Sequence, residues 1–115
     1  MADTCIFCRI ISGDIPSDMV FQDGELVAFR DVNPIAPVHI LVVPRRHISG
    51  LNELGEDDKR LMGRMVLTAR RLAHDQGIAE SGYRLVINCG PDGGQAVQHL
   101  HLHLIGGRKL DDSLG

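Results

Sequence analysis

The sequence predicts an α+β domain: an antiparallel sheet of about five strands, one long helix packed on it, and a short N-terminal helix. Three observations point there. Only Leu61 to Ala73 sustains a helical period in its apolar residues. Five short β-rich runs flank that segment, and the short connections between them favour antiparallel pairing. A length of 115 residues suits one domain, so a single unit is expected over residues 1–115.

Taken in order, Ile6 to Ser12 reads as a short helix that stops near Gly13. Met19 to Gln22 and Leu26 to Arg30 read as strands, with the hairpin signal Asp23-Gly24 between them. Asn33-Pro34-Ile35-Ala36-Pro37 reads as a loop, because each proline turns its predecessor away from the helical region. Val38 to Val43 is a β-rich run stopped by Pro44. On the long helix, Leu61, Met62, Met65, Val66, Ala69, Leu72 and Ala73 share one face, which reads as core. Glu56, Asp57 and Asp58 at its start and Arg70 and Arg71 near its end complement the helix dipole. Gly77 suits the stop. Tyr83 to Cys89 and His99 to Ile105 complete the strands.

Composition removes several classes of function. Aromatics are 3% of the chain, tryptophan is absent and the formal charge is −3. Stacking platforms for single strands need several rings, and duplex backbones need a basic surface, so no nucleic-acid partner is expected. No apolar run approaches the roughly 18 residues of a membrane span. The first residues lack the basic-then-apolar layout of a signal peptide, so a cytoplasmic location and no membrane partner are expected. The three cysteines do not make a disulfide framework; Cys5-x-x-Cys8 reads as metal ligation or as free thiols in a reducing compartment. Cys89 shares a strand face with Tyr83, Leu85 and Ile87 and reads as a buried thiol.

The densest chemistry is in His99-Leu100-His101-Leu102-His103-Leu104-Ile105. Side chains alternate along a strand, so the three histidines share one face and the three leucines the other. The leucines can pack on the helix, and the histidines then line something polar. Their spacing along a regular strand is about 6.5 Å, too long for a direct hydrogen bond between ideally placed rings. Such a row can surround one phosphate, divide between two sites, or decorate an exposed sheet face; a single ion shared by all three needs closer convergence. Asn88-Cys89-Gly90-Pro91-Asp92-Gly93-Gly94-Gln95 precedes the row as a glycine-rich loop, a candidate phosphate cradle.

His-x-His-x-His after a Gly-Gly-Gln loop resembles the histidine triad (HIT) superfamily. Gly94 to Gln98 before the triad and Gly106-Gly107-Arg108 after it resemble its Hint branch, as do Phe29 to Pro34, His39 to Pro44 and His47-Ile48. The resemblance runs from Cys5 to Arg108 and implies a HIT-like fold. It implies a purine nucleotide-binding hydrolase, of nucleoside 5'-phosphoramidate type, that cleaves at the α-phosphate through a nucleotidyl-histidine. It assigns His101 as nucleophile, His103 to the phosphate and His39 as a partner that orients the nucleophile. Asp31 falls on the ribose carboxylate, and Phe7, Ile10, Phe29 and Val32 on the walls of the base pocket. Asn88, Gly94, Gln95 and Ala96 fall on the phosphate side. Many Hint proteins have serine where this chain has Ala96, and alanine cannot assist a leaving nitrogen. Zinc-containing relatives imply a closed structural Zn²⁺ site of Cys5, Cys8, His47 and His99. A homodimer is implied too. Two other readings stay open: a zinc-containing nucleotide-binding or interaction module with little turnover, and a dinucleoside polyphosphate hydrolase.

Overall fold

The computed structural model describes residues 4–115; the first three residues of the expected domain lie outside that range. Helix α1 spans Ile6–Ser12, and helix α2 spans Lys59–Asp75. The strands are β1 Met19–Gln22, β2 Leu26–Arg30, β3 Val38–Pro44, β4 Tyr83–Val86 and β5 Leu102–Gly106. They form one sheet in the order β1-β2-β3-β5-β4, with every neighbouring pair antiparallel. Strand β5 therefore inserts between β3 and β4, which puts the triad segment against the most buried strand.

Local chemistry explains the turns. Asp23 Oδ1 accepts from the amides of Glu25 and Leu26, both at 2.8 Å, and closes the β1–β2 hairpin. Arg64 of α2 then bonds Asp23 Oδ2 at 2.7 Å and Glu25 Oε1 at 2.8 Å, so the hairpin tip is tied to the helix. The end of α2 is closed by Gly77, whose φ of +76° suits glycine. Gly106 is required for space: a Cβ there would lie 2.7 Å from Ile78 Cδ1.

Each face of the sheet carries its own core. On one side α2 packs on Leu26, Ile40, Val42, Leu100, Leu102 and Leu104. The leucines of the triad segment do turn toward the helix, as their alternation predicts. On the other side Phe7 of α1 packs with Val27, Phe29, Leu41 and Val43. Among the described residues, no helix is long and apolar enough to cross a membrane.

Four expectations need correction. Strand β5 begins at Leu102, not His99, because the ladder with β3 starts at the pair Val42–Leu102. Before it, the Leu100 amide is drawn off to the Ile48 carbonyl at 2.6 Å. Strand β4 ends at Val86, so Cys89 lies outside it and is half-buried beside Ser49, Asn52 and Gln95. Val66 is 43% exposed: the buried stripe runs through Leu61, Met65, Thr68, Ala69, Leu72 and Ala73, and Val66 falls off its side. Glu56–Asp58 form a separate 3₁₀ turn before α2.

Leu104 is fully buried and sits opposite Ile40, also fully buried. Leu104→Ala removes packing on the α2 side and is expected to cost about 2–5 kcal/mol. Urea unfolding measures this as a fall in midpoint at unchanged slope.

Candidate active site

The α1 side of the sheet opens into a cleft of about 330 Å³. Strand β2 supplies Phe29, and the bend after it supplies Asp31 and Val32. Helix α1 supplies Ile6, Phe7 and Ile10 on the facing wall. His101 and His103 form part of the floor. Phe7 is the keystone of this wall. Its ring meets Phe29 edge-on at 5.4 Å, His101 at 5.1 Å and His99 at 6.0 Å. All three triad rings thus lie on the Phe7 side of the sheet, although only His103 belongs to the ladder. The rings of His101 and His103 are 5.0 Å apart, closer than the spacing along a regular strand.

Hydrogen-bond partners assign the imidazole protons. A carbonyl can only accept, so His101 Nδ1, 2.7 Å from the His99 carbonyl, carries a proton. In the neutral ring Nε2 then keeps a lone pair. The Ile35 amide donates to His39 Nδ1 at 3.2 Å, which puts the His39 proton on Nε2. That N–H meets His103 Nδ1 at 2.9 Å, so the His103 proton sits on Nε2. Neighbouring histidines therefore hold opposite tautomers: His101 offers a lone pair and His103 offers a donor. His39 hydrogen-bonds His103; the orienting group on His101 is instead the His99 carbonyl.

Electrostatics agree with neutral rings. Burial pushes the His103 pKa down to about 4; His101 and His39 push the same way, and Asp31 opposes them. Burial also lowers His39, again opposed by Asp31, whose Oδ2 lies 3.4 Å from His39 Nε2. Asp31, His39 and His103 bring their donor atoms close together. They form a proton chain rather than a metal site, because the Ile35 amide occupies His39 Nδ1 and so keeps a proton on Nε2.

A second cluster suits a metal. The donor atoms of Cys5, Cys8, His47 and His99 all lie within 4.8 Å of one another. His99 Nδ1 is 3.3 Å from Cys5 Sγ, 3.5 Å from Cys8 Sγ and 3.2 Å from His47 Nδ1. Tetrahedral zinc with ordinary bond lengths sets sulfur–nitrogen edges of about 3.6 Å and nitrogen–nitrogen edges of about 3.3 Å. His99 Nε2 donates to the Pro44 carbonyl at 2.8 Å, which frees Nδ1 as a ligand. Burial, followed by the Cys5 thiol, pushes the Cys8 thiol up to about 11. A bound cation would reverse that by favouring the Cys8 thiolate.

The remaining predicted residues divide. Ala96 lines the cleft, and Val32 stands at its rim, 86% exposed. Asn88, Gly94 and Gln95 do not line it. Asn88 Nδ2 donates to the Gly93 carbonyl at 2.7 Å. The Gly94 amide bonds the Pro91 carbonyl. Gln95 is a staple: Oε1 accepts from the Gly90 amide at 2.9 Å, and Nε2 donates to Ser49 at 2.7 Å and Val97 at 3.0 Å. Sequence reasoning missed Ile6, Ile15, Pro16, Leu41 and Val97 as cleft residues; Ile6 and Val97 adjoin the predicted Phe7 and Ala96, whereas Ile15, Pro16 and Leu41 have no predicted site residue beside them.

Fold and site together define a class: a small α+β domain whose cleft is floored by alternate histidines at the entry to a central strand. A family model described as the HIT domain matches residues 12–110. The chain belongs to the HIT family. It is 46% identical over 114 residues to the purine nucleoside phosphoramidase of Escherichia coli K12, covering 99% of this chain and 96% of that one. A HIT family hydrolase of Legionella pneumophila superposes with a TM-score of 0.94 at 45% identity, covering 96% of this chain and 99% of that one. A zinc-bound histidine triad protein of Mycobacterium smegmatis superposes with a TM-score of 0.82 at 29% identity, covering 97% of this chain and 81% of that one.

The pH dependence of stability follows from His103. An exposed histidine titrates near 6.5, so between about 6.5 and 4 the unfolded chain binds a proton that the folded chain refuses. Stability is expected to fall as pH drops through that window. His103→Gln removes this contribution, and unfolding free energies measured from pH 7 to pH 4 should then decline less steeply.

Proposed function

We propose that this chain is a nucleotide hydrolase acting on purine nucleoside 5'-phosphoramidates, with His101 as nucleophile. The observation that carries the reading is the pair of opposite tautomers on His101 and His103. A nucleophilic imidazole needs one nitrogen bare and the other donating to a fixed acceptor. The phosphate it attacks needs a donor beside it for the charge that develops. The two adjacent rings meet one requirement each. The likeness to the Escherichia coli phosphoramidase along almost the whole chain supports the substrate class.

In this reading the purine enters between Phe7, Ile10, Phe29 and Val32, and Asp31 accepts from the ribose hydroxyls. His101 Nε2 attacks the α-phosphorus. The phosphorus–nitrogen bond breaks, and the departing amine takes up a proton from solvent water. His103 Nε2–H donates to a phosphate oxygen throughout. Water then attacks phosphorus and gives up a proton to solvent, the phosphorus–His101 bond breaks, and the nucleoside monophosphate leaves with His101 restored. Ala96 contributes no proton to the leaving nitrogen. Asn88, Gly94 and Gln95 shape the loop that leads to Ala96 and act on the phosphate side through it. The whole of 1–115 works as one such unit, in the cytoplasm.

Zinc is the structural ion we propose for Cys5, Cys8, His47 and His99; it supplies a cross-link between the N-terminal segment and the approach to β5. The donor spacing and the zinc-bound Mycobacterium smegmatis relative support it. A homodimer is proposed as well. Strand β4 ends the sheet, and Val66 and Leu67 are exposed on α2, so an apolar helix flank and an open strand edge are available to a second copy.

The decisive assay follows release of nucleoside monophosphate from an adenosine phosphoramidate. His101→Ala is expected to reduce kcat/KM by ~10³-fold or more. Equal rates in the two proteins would overturn the assignment. Sedimentation equilibrium tests the assembly, with a mass of twice the 12.6 kDa chain expected.

A further inference from the structure

The peptide that sets the His101 tautomer is not held by the β3–β5 ladder; its Leu100 amide bonds the carbonyl of Ile48, the residue after His47, at 2.6 Å. Pairing between β3 and β5 begins at Leu102, so the His99 carbonyl lies outside the ladder. The His99 residue is fixed in another way. Its ring is fully buried, with Nδ1 among Cys5, Cys8 and His47 and Nε2 on the Pro44 carbonyl. Its own amide bonds the Val97 carbonyl at 2.9 Å. The carbonyl left over is the one that accepts from His101 Nδ1. One residue therefore belongs to both centres: its side chain to the sulfur–imidazole cluster, its main chain to the cleft.

We infer that Cys5, Cys8 and His47 are positioning residues for His101: by clamping the His99 ring they fix the His99 carbonyl, and that carbonyl keeps the His101 proton on Nδ1 and its lone pair on Nε2. The inference rests on the reading of His101 as nucleophile and goes beyond it, since a cross-link that served stability alone would not need to pass through this peptide. The same clamp governs the opposite wall. Phe7 lies between Cys5 and Cys8 in sequence and touches both His99 and His101. When the cluster opens, His47 Nδ1 and His99 Nδ1 confront each other across 3.2 Å, and one of them must turn its N–H inward or move away. Movement at His99 is transmitted to its carbonyl, and the two His101 tautomers become comparable in energy.

The test uses the full chain with ¹⁵N-labelled histidine, prepared zinc-loaded and after removal of zinc by a chelator. Two-bond ¹H–¹⁵N correlation reads the His101 tautomer directly, metal analysis gives zinc per chain, and phosphoramidate hydrolysis gives kcat and KM. Loaded protein is expected to hold one zinc per chain and a single Nδ1–H tautomer. Zinc-free protein is expected to show a mixture and a kcat about twofold lower, the order set by a competent fraction near one half. His47→Asn, a change at the exposed edge of the cluster, should give the same mixture while circular dichroism stays native, which covers the case where zinc-free wild type unfolds. Cys8→His, which keeps a ligand, should restore the single tautomer. A chain that takes up no zinc overturns the inference, as does an unchanged tautomer and kcat in folded zinc-free protein or folded His47→Asn. Failure of the nucleophile assignment is distinguishable, since His101→Ala would then hydrolyse at the wild-type rate whatever the zinc content.

Discussion

Three main-chain groups decide where the protons sit on four imidazoles, and the chemistry of the cleft depends on that decision. The Pro44 and His99 carbonyls can only accept; the Ile35 amide can only donate. Main-chain groups do not titrate, so the pattern they impose holds wherever their peptides are held in place. Burial makes the imposition necessary. His39, His99 and His101 are each at most 6% exposed, and a buried ring nitrogen without a partner costs free energy. Among the described residues no buried side-chain nitrogen or oxygen is left unpaired. Hydrogen-bonded rings are what this fold can bury.

The position of Ile35 shows how a loop enters this scheme. The Asn33–Pro37 stretch was legible as a loop because of its prolines, but nothing in its composition says that one amide will point at an imidazole. The bend is built by Asp31, whose Oδ1 accepts from the Asn33 amide at 2.9 Å, and by the Asp31 amide on the His39 carbonyl at 2.9 Å. Arg108 closes it from outside by donating to the Ile35 carbonyl at 2.9 Å. Asp31 thus shapes the loop with one oxygen while the other faces His39. A single carboxylate links the bend, the proton chain and the rim of the cleft.

Much of the fold was legible because strong local signals agreed with the global pattern. Asp23-Gly24 marks a real hairpin, and Leu100, Leu102 and Leu104 mark the helix-facing side even where the ladder is missing. The start of β5 was not legible, since alternation persists through His99 and Leu100 while their main-chain bonds go to Val97 and Ile48. Periodicity reports which way side chains point, not which carbonyl an amide finds. The loop before the triad reads as a candidate cradle from its glycines; its Gly90, Gly94 and Gln95 amides bond within the loop, and the Gln95 side chain reaches Ser49, pairings that glycine content does not reveal. Side-chain chemistry at Cys5, Cys8, His47 and His99 could be proposed from residue type and resemblance. The main-chain partners of His39 and His101 could not, because every residue has the same amide and carbonyl.

The cleft also depends on a helix that cannot stand alone. Helix α1 has seven residues, well under the length at which an isolated helix is stable in water. Its anchorage is one buried side chain, Phe7, the half-buried Ile10 and Ile11, and two cysteines that flank Phe7 and reach across to His47 and His99. Phe7 faces Phe29 of β2, and these two rings bound the apolar part of the cleft. The apolar part of the cleft is therefore made by the least self-sufficient element of the fold pressing on one of its most buried strands. What holds α1 down also shapes the histidine floor, because His99 is reached by both cysteines and precedes His101 by two residues. The apolar wall of the cleft and the setting of its histidine floor thus both depend on the docking of one short helix.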